Sequence, residues 1–428
     1  MNYKQTIDYL FNVTPMFEKV GAPAYKEGLY NTLALDRHFG HPWQRYKTIH
    51  VAGTNGKGSC SHSLAAVLQE QGYRVGLYTS PHLYDFRERM RVNGEPVSEQ
   101  YVIDFVQQER DFFEPLHPSF FELTTAMALK YFAEQKVDVA VIEVGLGGRL
   151  DCTNIIRPEL SLITNISFDH TQFLGDTLEK IAREKAGIIK EGVPVVVGEH
   201  CAETRPVFEQ TAREHHAPLV FAQDSDEILS AEPCAEGVRY QTRHFGEILA
   251  DLAGTYQTRN MNTILHAVRL LHEQGLIRRP EAVAPALARV CALTGLEGRW
   301  QELQKAPRVV CDTGHNVGGW EYLSRQIAAQ PCAHRLVVFG MVDDKDIDEV
   351  MNMLPRDAQY YFTRPASKRA IPAEVVYEKG LAHGLAGQCC PSVADAYEKA
   401  MADAMADDFV FVGGSSYVVA DLLCHLRS

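Results

Sequence analysis

The sequence predicts an α/β protein in which two units each carry a mainly parallel sheet. Short runs rich in Val, Ile and Ala alternate with segments of helical periodicity, as in folds where helices connect parallel strands. The alternation restarts after residues 294–299, whose sequence TGLEGR has linker composition. With 428 residues, the chain is long enough for two or three domains and a large core.

The first unit is organised around a glycine-rich loop between a strand and a helix. Residues 46–51 are β-branched and aromatic and predict the strand, and apolar residues at helical spacing over 61–71 predict the helix. The loop between them is residues 53–59, GTNGKGS. Glycines let backbone N–H groups approach an anion, the helix N-terminus adds a partial positive charge, and Lys57 adds a full one. The pattern therefore predicts a phosphate site.

This loop departs from the standard phosphate-binding pattern at two positions. Val51 stands where that pattern has a glycine, and Gly58 separates Lys57 from Ser59, although the hydroxyl residue normally follows the lysine directly. A generic kinase or GTPase loop therefore fits poorly. The alternative interpretation is a Gly/Asn surface turn, but a lysine and a hydroxyl where a helix begins favour the phosphate site.

Polar side chains stand at the ends of three further predicted strands. They are Ser80 after the strand at 73–78, Glu143 at the end of the strand at 137–144, and His170 after the strand at 160–166. Ligands of open α/β sheets bind at this edge. A carboxylate that ends an apolar strand beside a phosphate loop is suited to holding Mg²⁺. Taken alone, Ser80-Pro81 indicates a simple turn equally well, and a single histidine is more often structural.

The local sequence assigns Lys185 no special role. It lies among apolar neighbours in a helix predicted over 177–189, within the sequence EKAGI at 184–188. On this evidence alone, we expect an ordinary surface lysine.

The remaining segments predict helices and strands that complete the two units. We expect two amphipathic helices within residues 2–40, with Met16 on the first and a loop at 21–23 between them, and a hairpin turn at Asn93-Gly94. Residues 200–250 are less regular and contain short β-like runs. Further predicted helices span 99–110, 120–133, 254–272, 280–292 and 393–405, and further strands 86–92, 95–97, 193–197, 308–312, 336–340, 359–363 and 409–412.

The composition is that of an ordinary soluble globular protein, with 46% hydrophobic and 23% charged residues. The net charge is -13 and there is no long basic run, so nucleic acid is not an expected partner. The polar N-terminus and the lack of a long apolar run predict a cytoplasmic protein without a signal peptide or membrane span. The ten cysteines are scattered without a Cys-x-x-Cys pair, and we expect them to be reduced and buried.

Taken together, the motifs resemble those of the folylpolyglutamate synthases, especially the bacterial bifunctional dihydrofolate synthase/folylpolyglutamate synthases of the Mur ligase superfamily. They follow the family order along the chain: HVAGTNGKGS at 50–59, SPHL at 80–83, EVGLGGRLDCTN at 143–154, DHT at 169–171, EKAGI at 184–188, YQTRN at 256–260, GR at 298–299, DTGHN at 312–316 and GMVDDKD at 340–346. The resemblance implies a P-loop nucleotide-binding domain with a mainly parallel sheet over 1–295, a linker at 296–299, and a smaller Rossmann-like α/β glutamate-ligase domain over 300–428.

The resemblance also implies roles for individual residues toward ATP and metal. The implied ATP-binding residues are Gly56, Lys57, Gly58, Ser59, Asn260, Arg299 and Asp312, and the implied ligands of two neighbouring Mg²⁺ ions are Ser80, Glu143, His170 and Lys185. Lys185 matches a family lysine that CO₂ carbamylates, and a carbamate is an anion that would ligate Mg²⁺ as a carboxylate does. With Lys57 and Lys185, His315 is an implied catalytic residue, near the phosphates. The resemblance leaves open whether a monovalent cation also binds.

The resemblance also implies a set of folate-binding residues. They are Leu29, Phe121, Glu122, Leu150, Asp151 and Cys152. The sequence GRLD at 148–151 is more similar to bifunctional members than to single-function ones. The chain departs from the family in having GHNV at 314–317, where members often have Ala-His-Asn-Pro.

The implied enzyme joins L-glutamate to dihydropteroate and to tetrahydrofolate. ATP would convert the substrate carboxylate to an acyl phosphate, a step that needs positioning and charge neutralisation, and a monomer is expected. The alternatives are a Mur-type ligase of cell-wall peptide precursors, a monofunctional folylpolyglutamate synthase, an ATP-binding module without turnover, and a P-loop kinase. Residues 57–59 and Leu150-Asp151 argue against the Mur-type ligase, and the offset Ser59 and the second α/β unit argue against the kinase.

Overall fold

The structure, a computed structural model, describes residues 1–14, 28–234, 236–343 and 346–427. The expected loop at 21–23, the apolar position Met16 and the pair Asp344-Lys345 of the motif at 340–346 lie outside the described residues. The chain forms two compact units. The first consists of Met1–Asp251 and Thr258–Leu296, and the second of Leu252–Gln257 and Glu297–Ser428.

The first unit contains an eight-stranded sheet in the order β4-β3-β2-β5-β1-β6-β7-β8. Its strands are β1 Lys47–Ala52, β2 Val75–Tyr78, β3 Met90–Val92, β4 Glu95–Pro96, β5 Val139–Glu143, β6 Leu160–Ile163, β7 Val195–Val197 and β8 Leu219–Phe221. All pairings except those of β3 and β4 are parallel. Strands β1 and β5 are buried over nearly their whole length, as parallel strands covered on both faces are. The residues that follow β1, β2, β5 and β6 therefore meet at one edge of this sheet.

Helices connect these strands, and polar N-caps begin several of them. Ser98, Ser119 and Thr177 each accept a backbone N–H from the first turn of the helix that follows. The α-helices in this part of the chain are Tyr3–Val13, Tyr30–His38, Lys57–Glu70, Glu99–Phe113, Phe120–Glu134, Thr171–Leu174, Leu178–Ala186, Arg205–Glu214, Gln257–Glu273, Val283–Leu287 and Val290–Thr294, and the 3₁₀ helices are Pro42–Arg45, Phe86–Arg89, Glu114–Leu116, Cys152–Ile155, Ala222–Asp224 and Pro280–Ala282.

The irregular region expected at 200–250 has a definite structure. It contains the helix Arg205–Glu214 and strand β8, and then a separate antiparallel sheet in the order β11-β10-β9. The three strands of this sheet are β9 Ile228–Cys234, β10 Gly237–Thr242 and β11 Glu247–Ala250.

The second unit is a six-stranded sheet in the order β12-β13-β17-β14-β15-β16. Its strands are β12 Gln301–Lys305, β13 Arg308–Asp312, β14 Arg335–Phe339, β15 Ala358–Phe362, β16 Gly387–Cys389 and β17 Phe409–Gly413, and its helices are Val317–Ala328, Ile347–Met353, Ala373–Ala382, Val393–Asp403 and Ser416–Arg427. Only the β12–β13 pairing is antiparallel among these strands. Its core is aromatic: the Trp320 ring packs edge-on against Phe339 and Phe411 at 5.5 and 5.9 Å between centroids.

Two predicted elements are wrong in kind. Residues Phe86–Arg89, predicted as part of a strand, form a 3₁₀ helix because Asp85 accepts the Arg87 N–H and Glu88 completes the cap. The helix predicted over 280–292 is broken into three short helices, since Arg289 has φ −138° and ψ 26°, outside the helical region. Strands β12 and β16 are missing from the prediction, and their sequences, QELQK and GQC, lack the apolar character on which it relied.

The cysteines are all free, as expected, but few are buried. Cys60, Cys311 and Cys390 are buried, Cys424 is exposed and the other six are partly exposed, so the expectation of buried cysteines is wrong for most of them. Among the described helices, none has both the length and the apolar character needed to cross a bilayer.

The hairpin turn at Asn93-Gly94 predicts a measurable sensitivity to a single methyl group. Gly94 has a φ of +83°, and a Cβ there would overlap the Leu293 carbonyl oxygen. We expect Gly94→Ala to lower the free energy of unfolding by about 3 kcal/mol, from backbone strain and collision together. Gly72→Ala is the matched control: Gly72 has a φ of +90° with nothing within 4 Å, so only strain of about 1 kcal/mol remains. Urea unfolding followed by circular dichroism measures both, and equal losses would contradict the packing argument.

Candidate active site

The predicted phosphate loop has the conformation that its glycines allow. Gly53 and Gly56 have φ angles of +143° and +83°, and Lys57 is the first residue of the helix Lys57–Glu70. A Cβ at Gly53 would collide with the Thr164 hydroxyl, and one at Gly56 with the side-chain amide of Asn260. Glycine is therefore required at both positions. The structure also brings Asn260, a predicted nucleotide-binding residue, against the loop.

Two residues that the sequence analysis did not select hold the loop in place. The Asn55 N–H donates to Asn165 Oδ1 at 3.0 Å, and the Asn55 carbonyl accepts from Asn165 Nδ2 at 3.1 Å and Thr164 Oγ1 at 2.5 Å. Thr164 and Asn165 directly follow β6, so their place at a strand end was the available signal. His170, the residue predicted from this segment, lies farther along it.

Lys57 and Lys185 meet at one carbonyl oxygen. Lys57 Nζ donates to Gly53 O at 3.2 Å and to Thr54 O at 3.1 Å, and Lys185 Nζ donates to the same Gly53 O at 2.8 Å. Lys185 is 4% exposed, so the expectation of a surface lysine from its local sequence is wrong. Lys185 lies on the buried face of its helix, Leu178–Ala186, together with Ile181 and Ala182, and this helical spacing was the available signal.

Burial and a neighbouring cation change the acidity of Lys185. Its pKa is lowered from 10.5 to about 7, first by burial and then by the charge of Lys57, against the opposite effect of Asp169 and Asp151. A large fraction of Lys185 is therefore a neutral amine near pH 7. A neutral, buried amine is the nucleophilic form of lysine.

The predicted metal ligands lie at the ends of neighbouring strands. Glu143 ends β5 with its side chain buried (3% exposed), and its Oε2 lies 3.3 Å from the backbone N–H of Ser80, which follows the adjacent β2. His170 follows β6, and its Nε2 lies 3.8 Å from Asp169 Oδ1. Asp169 in turn raises the Lys185 pKa through its charge, so the His170 segment lies near Lys185.

This donor set fits Mg²⁺ held partly by a phosphate ligand. Within the described residues, no group of three or more His, Cys, Asp and Glu side chains is arranged to hold a metal ion. Mg²⁺ commonly binds through one or two carboxylates together with substrate phosphates rather than in an all-protein cage. The buried Glu143 carboxylate, next to the Ser80 segment at the edge that carries the phosphate loop, meets that description.

Three of the predicted folate residues lie within residues 145–152, which we call the substrate loop. The other three lie at the starts of two helices, Tyr30–His38 and Phe120–Glu134. The Phe121 ring packs on Gly145, where an added Cβ would overlap it, and lies 5.9 Å from the Tyr78 ring. Glu122 is 3% exposed, and its Oε2 accepts from Ser119 N at 2.6 Å and from Asn31 Nδ2 at 3.4 Å. Asn31 lies in the helix Tyr30–His38, whose N-cap is Leu29.

Within the substrate loop, Leu150 and Cys152 flank a buried carboxylate. Asp151 Oδ1 accepts from the Thr153 N–H at 2.9 Å and from the Thr153 hydroxyl at 2.5 Å, while Oδ2 accepts from Leu146 N at 2.8 Å. Burial raises the Asp151 pKa, and these donors oppose the rise. In this conformation, the carboxylate holds the loop together; the direct contact between Asp151 and a pterin remains a prediction.

The three predicted residues of the second unit lie near the end of β13. Asp312 is 2% exposed, and its carboxylate accepts from the Tyr256 hydroxyl at 2.6 Å, Trp300 N at 2.7 Å and Gly314 N at 2.8 Å. Burial raises its pKa. Arg299 donates to Gly298 O at 3.2 Å, and His315 Nδ1 lies 3.1 Å from Thr313 O. Asp312 thus shapes the segment that carries His315, and its contact with nucleotide remains a prediction.

Comparison with known proteins defines the class of protein to which this fold and site belong. The Mur ligase middle domain matches residues 51–262, which include the phosphate loop, Glu143 and Lys185, and the Mur ligase glutamate ligase domain matches residues 298–416. The chain therefore has the two domains that the Mur ligase superfamily shares.

The particular family follows from relatives that match over most of their length. The chain is 34% identical over 416 residues to the dihydrofolate synthase/folylpolyglutamate synthase of Bacillus subtilis, covering 94% of this chain and 95% of that one. Its structure is similar to E. coli FolC in complex with DHPP and ADP, with a TM-score of 0.84, 32% identity, and coverage of 100% and 99% of the two chains. It is also similar to the Yersinia pestis bifunctional folylpolyglutamate synthase/dihydrofolate synthase complexed with AMPPNP and Mn ion, with a TM-score of 0.82, 29% identity and coverage of 100% and 98%. The chain belongs to the dihydrofolate synthase/folylpolyglutamate synthase family.

The lowered pKa of Lys185 predicts that this residue reduces the stability of the ligand-free protein. In CO₂-free buffer, we expect Lys185→Met to be more stable than the wild type at pH 7 by about 1–3 kcal/mol. Between pH 7 and 10, Lys185 is protonated in the unfolded protein but not in the folded one, so the free energy of unfolding of the wild type rises with pH. The stability difference between Lys185→Met and the wild type therefore narrows over this range. Chemical denaturation at each pH measures this. Lys180→Met, an exposed lysine of the same helix (60% side-chain exposure), should show no such trend, and a constant difference for Lys185→Met would contradict the assignment.

Proposed function

We propose that this protein is an ATP-dependent ligase that adds L-glutamate to dihydropteroate, making dihydrofolate, and to tetrahydrofolate, making folylpolyglutamates. One observation carries the proposal beyond family membership. The amines of Lys57 and Lys185 converge on Gly53 O at 3.2 and 2.8 Å, at the sheet edge where Glu143 also ends its strand. The cation of Lys57 and the carboxylate of Glu143 at one edge, with the buried amine of Lys185 beside them, suit a reaction of ATP with a carboxylate.

The phosphate loop binds the triphosphate of ATP in this proposal. Residues 56–59 supply backbone N–H groups at the start of a helix. Lys57 exchanges its two loop carbonyls for phosphate oxygens, which a flexible ammonium group can do. Asn260 lies against Gly56 and is placed to contact the nucleotide, and Arg299 and Asp312 contribute from the second unit. His315 acts near the phosphates.

Two Mg²⁺ ions would be held by Ser80, Glu143 and His170 together with Lys185. When bound, Mg²⁺ supplies positive charge that neutralises the phosphate oxygens. Lys185 contributes as a carbamate: its neutral amine nitrogen attacks CO₂, a C–N bond forms, and the displaced proton leaves to solvent. The burial of Lys185 and its pKa of about 7 support this assignment, since a protonated amine cannot react.

The reaction proceeds through an acyl phosphate. A carboxylate oxygen of the pteroate or folate attacks the γ-phosphorus of ATP, the bond to ADP breaks, and the negative charge that moves onto ADP is stabilised by Lys57 and the loop N–H groups. The amine of L-glutamate then attacks the acyl carbon, and inorganic phosphate leaves with the C–O bond electrons. The protein's main contribution is to orient the two substrates.

The folate substrate lies along the substrate loop in this proposal. Phe121 supplies an aromatic surface, Glu122 and Asp151 supply buried carboxylates, and Leu150 and Cys152 flank the loop, with Leu29 at the start of the adjacent helix. We infer activity on both substrates from the sequence GRLD at 148–151, which is more similar to bifunctional members of the family. The protein acts as a cytoplasmic monomer, with functional domains over 1–295 and 300–428 joined by 296–299.

Product analysis tests the function directly. With Mg-ATP and L-glutamate, the purified protein should release ADP with either dihydropteroate or tetrahydrofolate, and mass spectrometry should find each product heavier by one glutamyl residue. ADP release should require glutamate, because the acyl phosphate is consumed only by the amine. Product from tetrahydrofolate alone would indicate the monofunctional enzyme. Activity only with a nucleotide-linked cell-wall peptide, or ADP release without any amine, would contradict the proposal.

The carbamate predicts a dependence of turnover on CO₂. Wild-type turnover should fall in CO₂-depleted buffer and return when bicarbonate is added. We expect Lys185→Ala to reduce turnover by more than about 100-fold under both conditions while circular dichroism shows a folded protein. Lys180→Ala, on the exposed side of the same helix, should respond to bicarbonate as the wild type does. Full turnover by Lys185→Ala would show that no carbamate is needed.

A further inference from the structure

His50 is a buried titratable residue that the proposed reaction does not use. It lies on β1, ahead of the phosphate loop, and is 0% exposed. Its Nε2 lies 2.8 Å from Thr153 Oγ1, whereas its Nδ1 has no hydrogen-bond partner in the described part of the chain. Burial lowers the His50 pKa to about 3, with a further contribution from Lys190. The imidazole is therefore neutral, and its hydrogen-bond partner is Thr153.

The hydrogen bonds from His50 onward have one direction. Thr153 Oγ1 lies 2.5 Å from Asp151 Oδ1. Because an ionised carboxylate only accepts, the Thr153 hydroxyl gives its proton to Asp151 and must accept from His50. This requires the tautomer of His50 with its proton on Nε2. The chain of donors runs from His50 through Thr153 to Asp151.

Asp151 is the point at which this chain acts on the substrate loop. One carboxylate oxygen accepts from Thr153 at the start of the 3₁₀ helix Cys152–Ile155, and the other accepts from Leu146 N at 2.8 Å. The carboxylate therefore ties the beginning of the loop to its end. A rotation of Asp151 would release Leu146 and shift the residues on either side of Asp151.

We propose that His50 is a positioning residue for the pteroate substrate, which holds the Asp151 carboxylate through Thr153 and so fixes the shape of the substrate loop. The proposal rests on the proposed function, which assigns pteroate to this loop. Strand β1 carries His50 and then leads into the phosphate loop, so one strand supports both substrates of the first reaction step. Burying an imidazole with an unpaired Nδ1 costs free energy, which an apolar residue at this position of β1 would avoid. A positioning role accounts for the presence of His50.

Paired variants at Thr153 test the chain with little change of shape. Thr153→Val removes the hydroxyl at nearly constant volume, and Thr153→Ser keeps it. We expect Thr153→Val to raise the KM for dihydropteroate about tenfold while the KM for ATP changes less than about twofold. Thr153→Ser should keep the KM for dihydropteroate close to the wild-type value. His50→Leu should match Thr153→Val, His50→Gln should retain function through its side-chain N–H, and the double variant His50→Leu/Thr153→Val should be no worse than either single one.

Thr204→Val is the control for loss of a buried threonine hydroxyl. Thr204 is 0% exposed and its Oγ1 accepts from Cys201 N at 3.0 Å, away from both substrate segments. It should lose stability without changing the KM for dihydropteroate. An unchanged KM in Thr153→Val, or equal rises in the KM values for both substrates, would overturn the proposal.

A spectroscopic measurement separates this proposal from the proposed function. In the ¹⁵N NMR spectrum of the full chain, the His50 imidazole should show a protonated Nε2, and Thr153→Val should shift that signal. If the wild type ligates glutamate to neither pteroate nor folate, the proposed function fails, and dihydropteroate binding followed by fluorescence then decides whether the chain positions a ligand. A proton on Nδ1 would overturn the proposal whatever the activity.

Discussion

The site depends on the shared hydrogen bonds of Lys57 and Lys185 with the carbonyl oxygen of Gly53. Two amines at one acceptor, one of them buried, repel each other when both are charged. The protein reduces that repulsion by lowering the pKa of Lys185, and an arriving anion reduces it further. In the ligand-free protein, Lys57 is therefore the charged member of the pair, and its ammonium group is held by two carbonyl oxygens of the phosphate loop.

The geometry around Gly53 is set by packing that leaves little freedom. Thr164 fills the space where a Gly53 side chain would lie, and Asn165 pairs with both backbone groups of Asn55. On the other side, Arg149 N donates to Glu184 O at 2.7 Å, and its guanidinium reaches Glu184 Oε1 at 2.8 Å. The substrate loop is therefore joined to the helix that carries Lys185, so the predicted folate residues and the predicted phosphate residues are linked through one helix.

The sequence predicted much of this arrangement because its signals were local. Strand ends were visible as apolar runs that stop at Ser80 and Glu143, and parallel topology brings such ends together without any knowledge of distant contacts. The glycine loop carried its own conformational signal. Burial of Lys185 was missed although periodicity places it on the same helix face as Ile181 and Ala182. A lysine is rarely buried without a partner, and its partner, the Gly53 carbonyl, is distant in sequence. Edge strand β12 was missed for a different reason: its residues are polar, although its pairing with the next strand, β13, is local.

The residues whose surroundings were hardest to predict are those whose burial is most costly. A lysine at 4% exposure, an imidazole with an unpaired nitrogen and a carboxylate closed off inside a loop all work against stability if judged by packing alone. Two of them are stabilised by partners distant in sequence, Gly53 for Lys185 and Thr153 for His50, whereas Asp151 is stabilised by the nearby Leu146 and Thr153. Disagreement between local pattern and observed environment is expected where a chain gives up stability for chemistry. Here, the Lys185 amine reaches the phosphate loop, Asp151 lies in the substrate loop, and His50 is joined to Asp151 through Thr153. This grouping of costly buried groups around two loops supports the prediction that these loops form the site.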